Sequence, residues 1–151
     1  MCNAFASFGL LLMRLAAGAM MAAGHGWMKY QSFDDMAKMM TPMFGLDAKQ
    51  TLMLAIFGEL VCPILVALGF LSRLAALATA FTMGVAIYTV HWKDPVFMPF
   101  VEHMKDAGAK EMAIMYMIPF ATLVFTGPGK LSIDGLLFRR RKTQISTPVA
   151  K

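Results

Sequence analysis

Charge is scarce in this chain. Only 15% of its 151 residues are Asp, Glu, Lys or Arg, while 58% are hydrophobic. A soluble domain carries roughly 25% charge and about 45–50% apolar residues. A soluble fold of this length cannot hide so large an apolar share. Cysteine is scarcer still, with Cys2 and Cys62 alone. Cys2 is expected at a membrane surface and Cys62 inside a helix, so the two are not expected to pair. No zinc-ligand spacing is present. The N-terminus lacks the basic stretch of a signal peptide, and Arg14 interrupts its apolar run. That run therefore reads as a retained transmembrane helix. There is no internal repeat, no haem, flavin or iron–sulfur signature, and no basic face fitted to read nucleic acid.

What the chain does have is four apolar runs, at about 4–27, 51–71, 74–90 and 110–125. They predict an all-α fold: one integral-membrane four-helix bundle covering residues 1–151. The run Thr51–Leu71 is the organising one. It is long enough to cross a hydrocarbon core of about 30 Å, and it carries a single charge, Glu59. Pro63 follows four residues later, removes a backbone donor and predicts a kink. The third run is rich in Ala and Gly, which lets membrane helices approach closely. Trp27, Tyr30, Tyr88 and Trp92 stand at run ends, where amphipathic rings collect at membrane interfaces.

Between the runs lie two polar loops. In the first, Ser32 and Asp35 resemble a capping box for a short surface helix to Met40, with Phe33, Met36, Met39, Met40 and Phe44 dipping into the membrane. In the second, Val96–Met104 predicts another short surface helix, and His103 is expected to be exposed. Gly127-Pro128-Gly129 stops the fourth run. Arg139, Arg140, Arg141 and Lys142 form a basic tail within 138–151, and with the Ser72-Arg73 turn they predict that both termini are cytoplasmic.

The ionisable residues inside these runs are the candidates for function, because such groups are costly in a bilayer. Arg14, Gly18, Met21 and His25 recur at offsets of four, seven and eleven, on one side of a helix. Helix rise puts Arg14 about 15 Å in from one face and Glu59 about 14 Å in from the other. An Arg14–Glu59 ion pair in the bundle interior is the expectation. His25, Lys29, Tyr88, His91 and Glu111 are expected to converge at the exterior end as a polar mouth above Glu59. The 16 methionines fall mostly at ordinary helix positions, which suits gap-filling in an apolar core, so metal binding by them is the lesser reading. Cys62 reads as a small core residue.

An ordered set of segments resembles the DoxX family of small four-helix bacterial membrane proteins. The segments are Arg14-Leu15-Ala16-Ala17-Gly18, His25-Gly26 with Lys29, Glu59, Gly69-Phe70-Leu71-Ser72-Arg73-Leu74-Ala75-Ala76, His91, Glu111, and Gly127-Pro128-Gly129-Lys130-Leu131-Ser132-Ile133-Asp134. Val61-Cys62-Pro63 stand where the family has glycines. The resemblance implies a multi-pass protein of the bacterial inner membrane. It also implies kinship with a membrane subunit similar to those of thiosulfate:quinone oxidoreductases, other members being similar to partners of redox or detoxification proteins.

Three functions follow as expectations. The first is a quinone-linked redox subunit in sulfur-compound oxidation or redox detoxification. His25, His91 and Glu59 would be its catalytic groups, Arg14, Lys29, Tyr88 and Glu111 its substrate-binding groups, and Arg14, Glu59 and Arg73 would form structural ion pairs. Electrons would come from a redox partner protein or from the substrate. The second is a non-catalytic membrane anchor or scaffold for a partner protein. A redox partner protein or a homo-oligomer is the expected assembly. The third is a small-solute or metal conduit through Lys29, His25, Glu59 and Arg14.

Overall fold

The computed structural model describes residues 2–93, 96 and 110–137. Among them the fold is all-α, without a strand. Of the expected surface helix over Val96–Met104 only Val96 is described; His103 and the basic tail lie outside the described residues.

The first helix is one continuous rod. It runs as α-helix over Cys2–Met21, widens to a π-helical turn at Ala22–Gly26, and returns to α-helix over Trp27–Gln31. Arg14, Gly18 and Met21 are buried and His25 is half-buried, as their shared face requires. A short helix, Phe33–Met39, follows at the expected place. Its Ser32 makes no side-chain cap, however. The capping box belongs instead to the second helix, where Asp47 and Gln50 close each other's orphan backbone groups.

The second helix passes through α-helix Ala48–Ile56, a π-helical turn Phe57–Val61, and α-helix Cys62–Leu68. The proline explains where it deforms. Pro63 has no N–H to offer the Glu59 carbonyl four residues back, and the ladder loosens into the wider turn just before it. The third helix spans Ser72–Thr89 and the fourth Lys110–Thr126, stopped by Gly127 and Gly129 in the left-handed region, with φ of 75° and 79°. The four rods pack as a ring of neighbours: first on second, second on third, third on fourth, and fourth back on first. The Ala4–Gln31 and Ala48–Leu68 rods are long and apolar enough to cross a membrane.

Polarity is arranged inside out. Phe5, Phe8, Leu74, Phe81, Met115 and Phe125 point outward and are exposed, while Arg14, Glu59, Ser72 and Thr79 are buried. That arrangement suits a lipid surround, since a soluble monomer rarely exposes apolar surface on this scale. The central seal between the rods is Met21, Cys62, Val66, Ala76, Phe120 and Leu123.

Beyond that seal, at one end, the tight turn between the second and third helices is held by the closing segment. Gly69 takes φ of 76° and Leu71, unusually for leucine, 47°. Asp134 accepts from the Leu71 and Ser72 backbone N–H groups at 2.9 and 2.8 Å, and its own N–H donates to the Gly69 carbonyl at 2.9 Å. These bonds offset the left-handed cost at Leu71, of order 1–2 kcal/mol. Arg14 is fully buried here. It donates from Nη2 to the Leu131 carbonyl and lies against Gly69, where any side chain would strike its guanidinium.

The expected Arg14–Glu59 pair does not form. Gly26 packs on the Glu59 backbone, and Gly26 is twelve residues beyond Arg14. The two backbone positions therefore stand about 18 Å apart along the axis. Side-chain direction widens the gap, because helical side chains lean toward their own N-terminus and these two rods are antiparallel. Among the described residues Arg73 has no ion-pair partner either. It donates from Nη2 to the Phe125 carbonyl at 3.4 Å, tying the third helix to the end of the fourth.

Candidate functional site

Glu59 is 2% exposed and its partner is Lys29. Lys29 Nζ straddles the carboxylate, 2.6 Å from each oxygen. The same lean that separates Arg14 from Glu59 explains this pairing. Lys29 reaches back along the first helix and Glu59 reaches back along the second, so their heads meet at the level of the two π-helical turns. Those turns face each other across the first and second rods. Gly26 makes the approach possible, since a Cβ there would sit 2.5 Å from the Glu59 carbonyl oxygen. Gly58 does the same toward the third helix, where a side chain would collide with the Thr82 hydroxyl. The second helix thus delivers Glu59 through a backbone stripped of bulk on both sides.

Above this ion pair lies a cavity of about 520 Å³. Its floor holds Lys29, Glu59, His25, Thr82 and Tyr116. Its walls are apolar and include six of the 16 methionines, Met36, Met39, Met40, Met43, Met83 and Met112. The short helix Phe33–Met39 packs on the outer part of the second helix and forms the lid side. His91 lies on the rim, just past the end of the third helix. The Thr82 hydroxyl donates to the Ala78 carbonyl at 3.0 Å, so toward the cavity it can only accept. The His25 ring meets Tyr116 edge to face, with centroids 5.1 Å apart.

The structure thus gathers His25, Lys29, Glu59 and His91 around one space and leaves the other expected members outside it. Tyr88 is 70% exposed, meets the Trp92 ring edge to face with centroids 5.5 Å apart, and does not line the cavity. Glu111 sits in the first turn of the fourth helix and does not line the cavity. Arg14 lies at the far end, beyond the apolar seal. Tyr116 and Thr82 are the members that sequence reasoning missed. Tyr116 is a polar ring inside the fourth apolar run, which was a usable signal. Thr82 carried none, because threonine is ordinary in a membrane helix. Among the described residues no three His, Cys, Asp or Glu side chains stand together as a metal site.

The DoxX family profile matches residues 9–92, more than half of the chain. The chain belongs to the DoxX family. The matched stretch contains Arg14, His25, Lys29, Glu59 and His91, so four of the cavity's ionisable groups fall within the DoxX region, while Tyr116 lies outside it. Among curated proteins the chain is 29% identical to the inner membrane protein YphA of Escherichia coli over 133 residues, covering 83% of this chain and 88% of that one. It is 30% identical over 118 residues to an uncharacterized protein of Haemophilus influenzae, 77% and 81% of the two chains. A second uncharacterized protein of that organism matches at 32% over 83 residues, 55% of this chain and 50% of its own length. No solved structure matches the chain. The family and the outward-facing apolar surface together make this a DoxX membrane protein.

Proposed function

We propose that this protein is the quinone-binding membrane subunit of a redox system, seated in the bacterial inner membrane with both termini cytoplasmic and the His25 end facing outward. The observation that carries the reading is the cavity over the Lys29–Glu59 pair. Its volume falls within the 300–1,000 Å³ usual for small-molecule sites, and its mostly apolar lining with a few convergent polar groups is what such sites share. A pure scaffold would be expected to fill that space, because protein interiors pack to crystal-like density. The cavity is also blind: its lining stops at Glu59 and Ala78, and the Met21, Val66, Phe120 and Leu123 seal lies below. That geometry does not favour a conduit.

The residues suit a quinone head. An ammonium group has three N–H donors, and Glu59 takes two of those on Lys29, leaving one for a carbonyl oxygen in the cavity. A cation there steadies negative charge that grows on that oxygen during reduction. His25 and His91 are the groups fitted to pass protons, with the Tyr116 ring packed against His25. Reduction to a quinol consumes two electrons and two protons. The protons enter through these side chains, and the electrons come from a reduced partner protein docked at the His25 end.

The test is equilibrium binding of a short-chain benzoquinone to the protein in lipid nanodiscs. The expected result is saturable binding that Lys29→Met and His25→Ala each weaken at least tenfold, with helical content preserved. Equal binding by wild type and both variants, or none by any of them, would overturn the reading.

A further inference from the structure

The cavity has a side door, and it opens toward lipid. The second and third helices leave their shared turn in close contact, packed along Cys62–Leu68 and, less tightly, along Phe57–Val61. Past that point they diverge. The outer piece of the second helix, Ala48–Ile56, leans instead on the Phe33–Met39 helix and on Trp27–Gln31. The two rods therefore form a V, and the cavity occupies its mouth.

Side-chain exposure marks where the V is open. Leu54 and Phe57 on the second helix are 53% and 51% exposed, and Phe81 on the third is 64% exposed, yet all three line the cavity. A residue that both lines a cavity and faces outward stands on its rim. Val85 lies one turn beyond Phe81 on the same wall. Phe57 and Phe81 are each nine residues from the end of their rod. That is about 13 Å, close to half of a 30 Å hydrocarbon core. The opening thus lies near mid-membrane and extends toward the His25 end, where His91 stands; its mid-membrane edge is formed by Leu54, Phe57, Phe81 and Val85.

We infer that this V is the entry portal and tail groove for a long-chain isoprenoid quinone, which slides in sideways from the bilayer. The inference rests on the proposed quinone reading and adds how the substrate arrives and what part of it is recognised. The chemistry of the two ends dictates the shape of the occupant. The floor offers a cation, an imidazole and a phenol, and so takes a compact polar head. The mid-membrane edge, Leu54, Phe57, Phe81 and Val85, offers aromatic and aliphatic surface that continues into lipid, and so takes a single narrow apolar chain still lying in the membrane. A water-soluble substrate would have no use for such a rim. A phospholipid would have to carry its charged headgroup through the apolar gap to reach Lys29, at a cost of several kcal/mol.

The experiment compares two probes in nanodiscs, a decyl-substituted benzoquinone and the same benzoquinone without the chain. The rim variant is Leu54→Trp with Val85→Trp, at partly exposed positions outside the polar floor. Partitioning of the decyl probe into the bilayer is the same for both proteins, so the effect of the variant reports on the portal alone. Circular dichroism and thermal unfolding serve as folding controls, and Leu54→Ala with Val85→Ala is the widening counterpart. The expected result is a loss of affinity in the narrowed variant at least tenfold greater for the decyl probe than for the chainless one, and undiminished decyl binding in the widened one. Equal change, or no change, for both probes would overturn the portal while leaving the quinone site standing. Failure of both probes to bind the wild-type protein would remove the quinone reading itself. Native mass spectrometry supplies the last arm: a phospholipid that remains bound while the decyl probe fails to displace it would assign the groove to lipid and overturn the inference.

Discussion

Removing Lys29 should hurt far more than removing Glu59. The structure gives the reason. Glu59 is 2% exposed and Lys29 24% exposed, so the two partners are not equally trapped. In Lys29→Met the carboxylate is left without its counter-ion in an apolar cavity. Breaking a buried pair this way costs about 3–5 kcal/mol, and the partial exposure of Lys29 argues for about 3 kcal/mol. In Glu59→Gln the ammonium remains, but its four-carbon stem lets it turn toward water at the His25 end. The amide oxygen still accepts one hydrogen bond, and the expected cost is about 1–2 kcal/mol. The double variant should cost less than the sum, with a coupling of at least about 1 kcal/mol, as contacting residues show. Equilibrium unfolding in mixed micelles, followed by circular dichroism, measures all three. The control is Arg14→Met combined with Glu59→Gln. Those sites stand about 18 Å apart and share no partner, so their effects should add to within about 0.5 kcal/mol. Additive behaviour of Lys29 with Glu59, or strong coupling of Arg14 with Glu59, would refute the pairing.

Three further outcomes follow from the same geometry. Gly26→Ala should destabilise by several kcal/mol, because the new methyl would meet Glu59 backbone that cannot yield, while Gly24→Ala, with nothing within 4 Å, should be neutral or gain about 0.5–1 kcal/mol; unfolding midpoints compare the two. Asp134→Ala strips the Leu71 and Ser72 N–H groups of their acceptor and should cost about 1–2 kcal/mol, whereas Asp134→Asn, which keeps one acceptor, should recover part of it in the same assay. Cysteine placed at Ser32 should be labelled from outside intact cells and cysteine at Ser146 should not; outside labelling of Ser146→Cys would reverse the proposed topology.

Much of the fold was legible because a membrane helix announces itself by length and apolarity. The Phe33–Met39 helix, the Pro63 disturbance, the glycine stop after the fourth helix and the inward face of Arg14, Gly18, Met21 and His25 all follow from residue spacing. What spacing could not give was relative depth. Counting residues from each end put Arg14 and Glu59 at one level, but it ignored the slant of side chains toward helix N-termini and the register set by Gly18 and Gly26. Those two glycines fix where the rods touch: Gly18 on Pro63 and Ala67, Gly26 on Glu59 and Leu60. The π-helical turns were hidden too, since a one-residue widening leaves no periodic signature in a five-residue window. Tyr88 shows the remaining ambiguity. At the end of an apolar run a tyrosine suits either a polar mouth or the outer interface, and the Trp92 ring draws it outward. The Arg14 cluster was legible as important and misread in kind: it clasps the closing segment to the turn and lies far from the cavity.

The central claim is that a quinone head sits over the Lys29–Glu59 pair. Photo-cross-linking with an azido-benzoquinone in nanodiscs, followed by peptide mapping, tests it most directly. The account predicts label confined to the cavity walls, in the Met36–Phe44 segment, the Phe81–Val90 stretch and around Tyr116, competed away by unmodified quinone and lost in Lys29→Met. Label spread over the outer lipid-facing surface, or concentrated near Arg14 and Ser132, would contradict it.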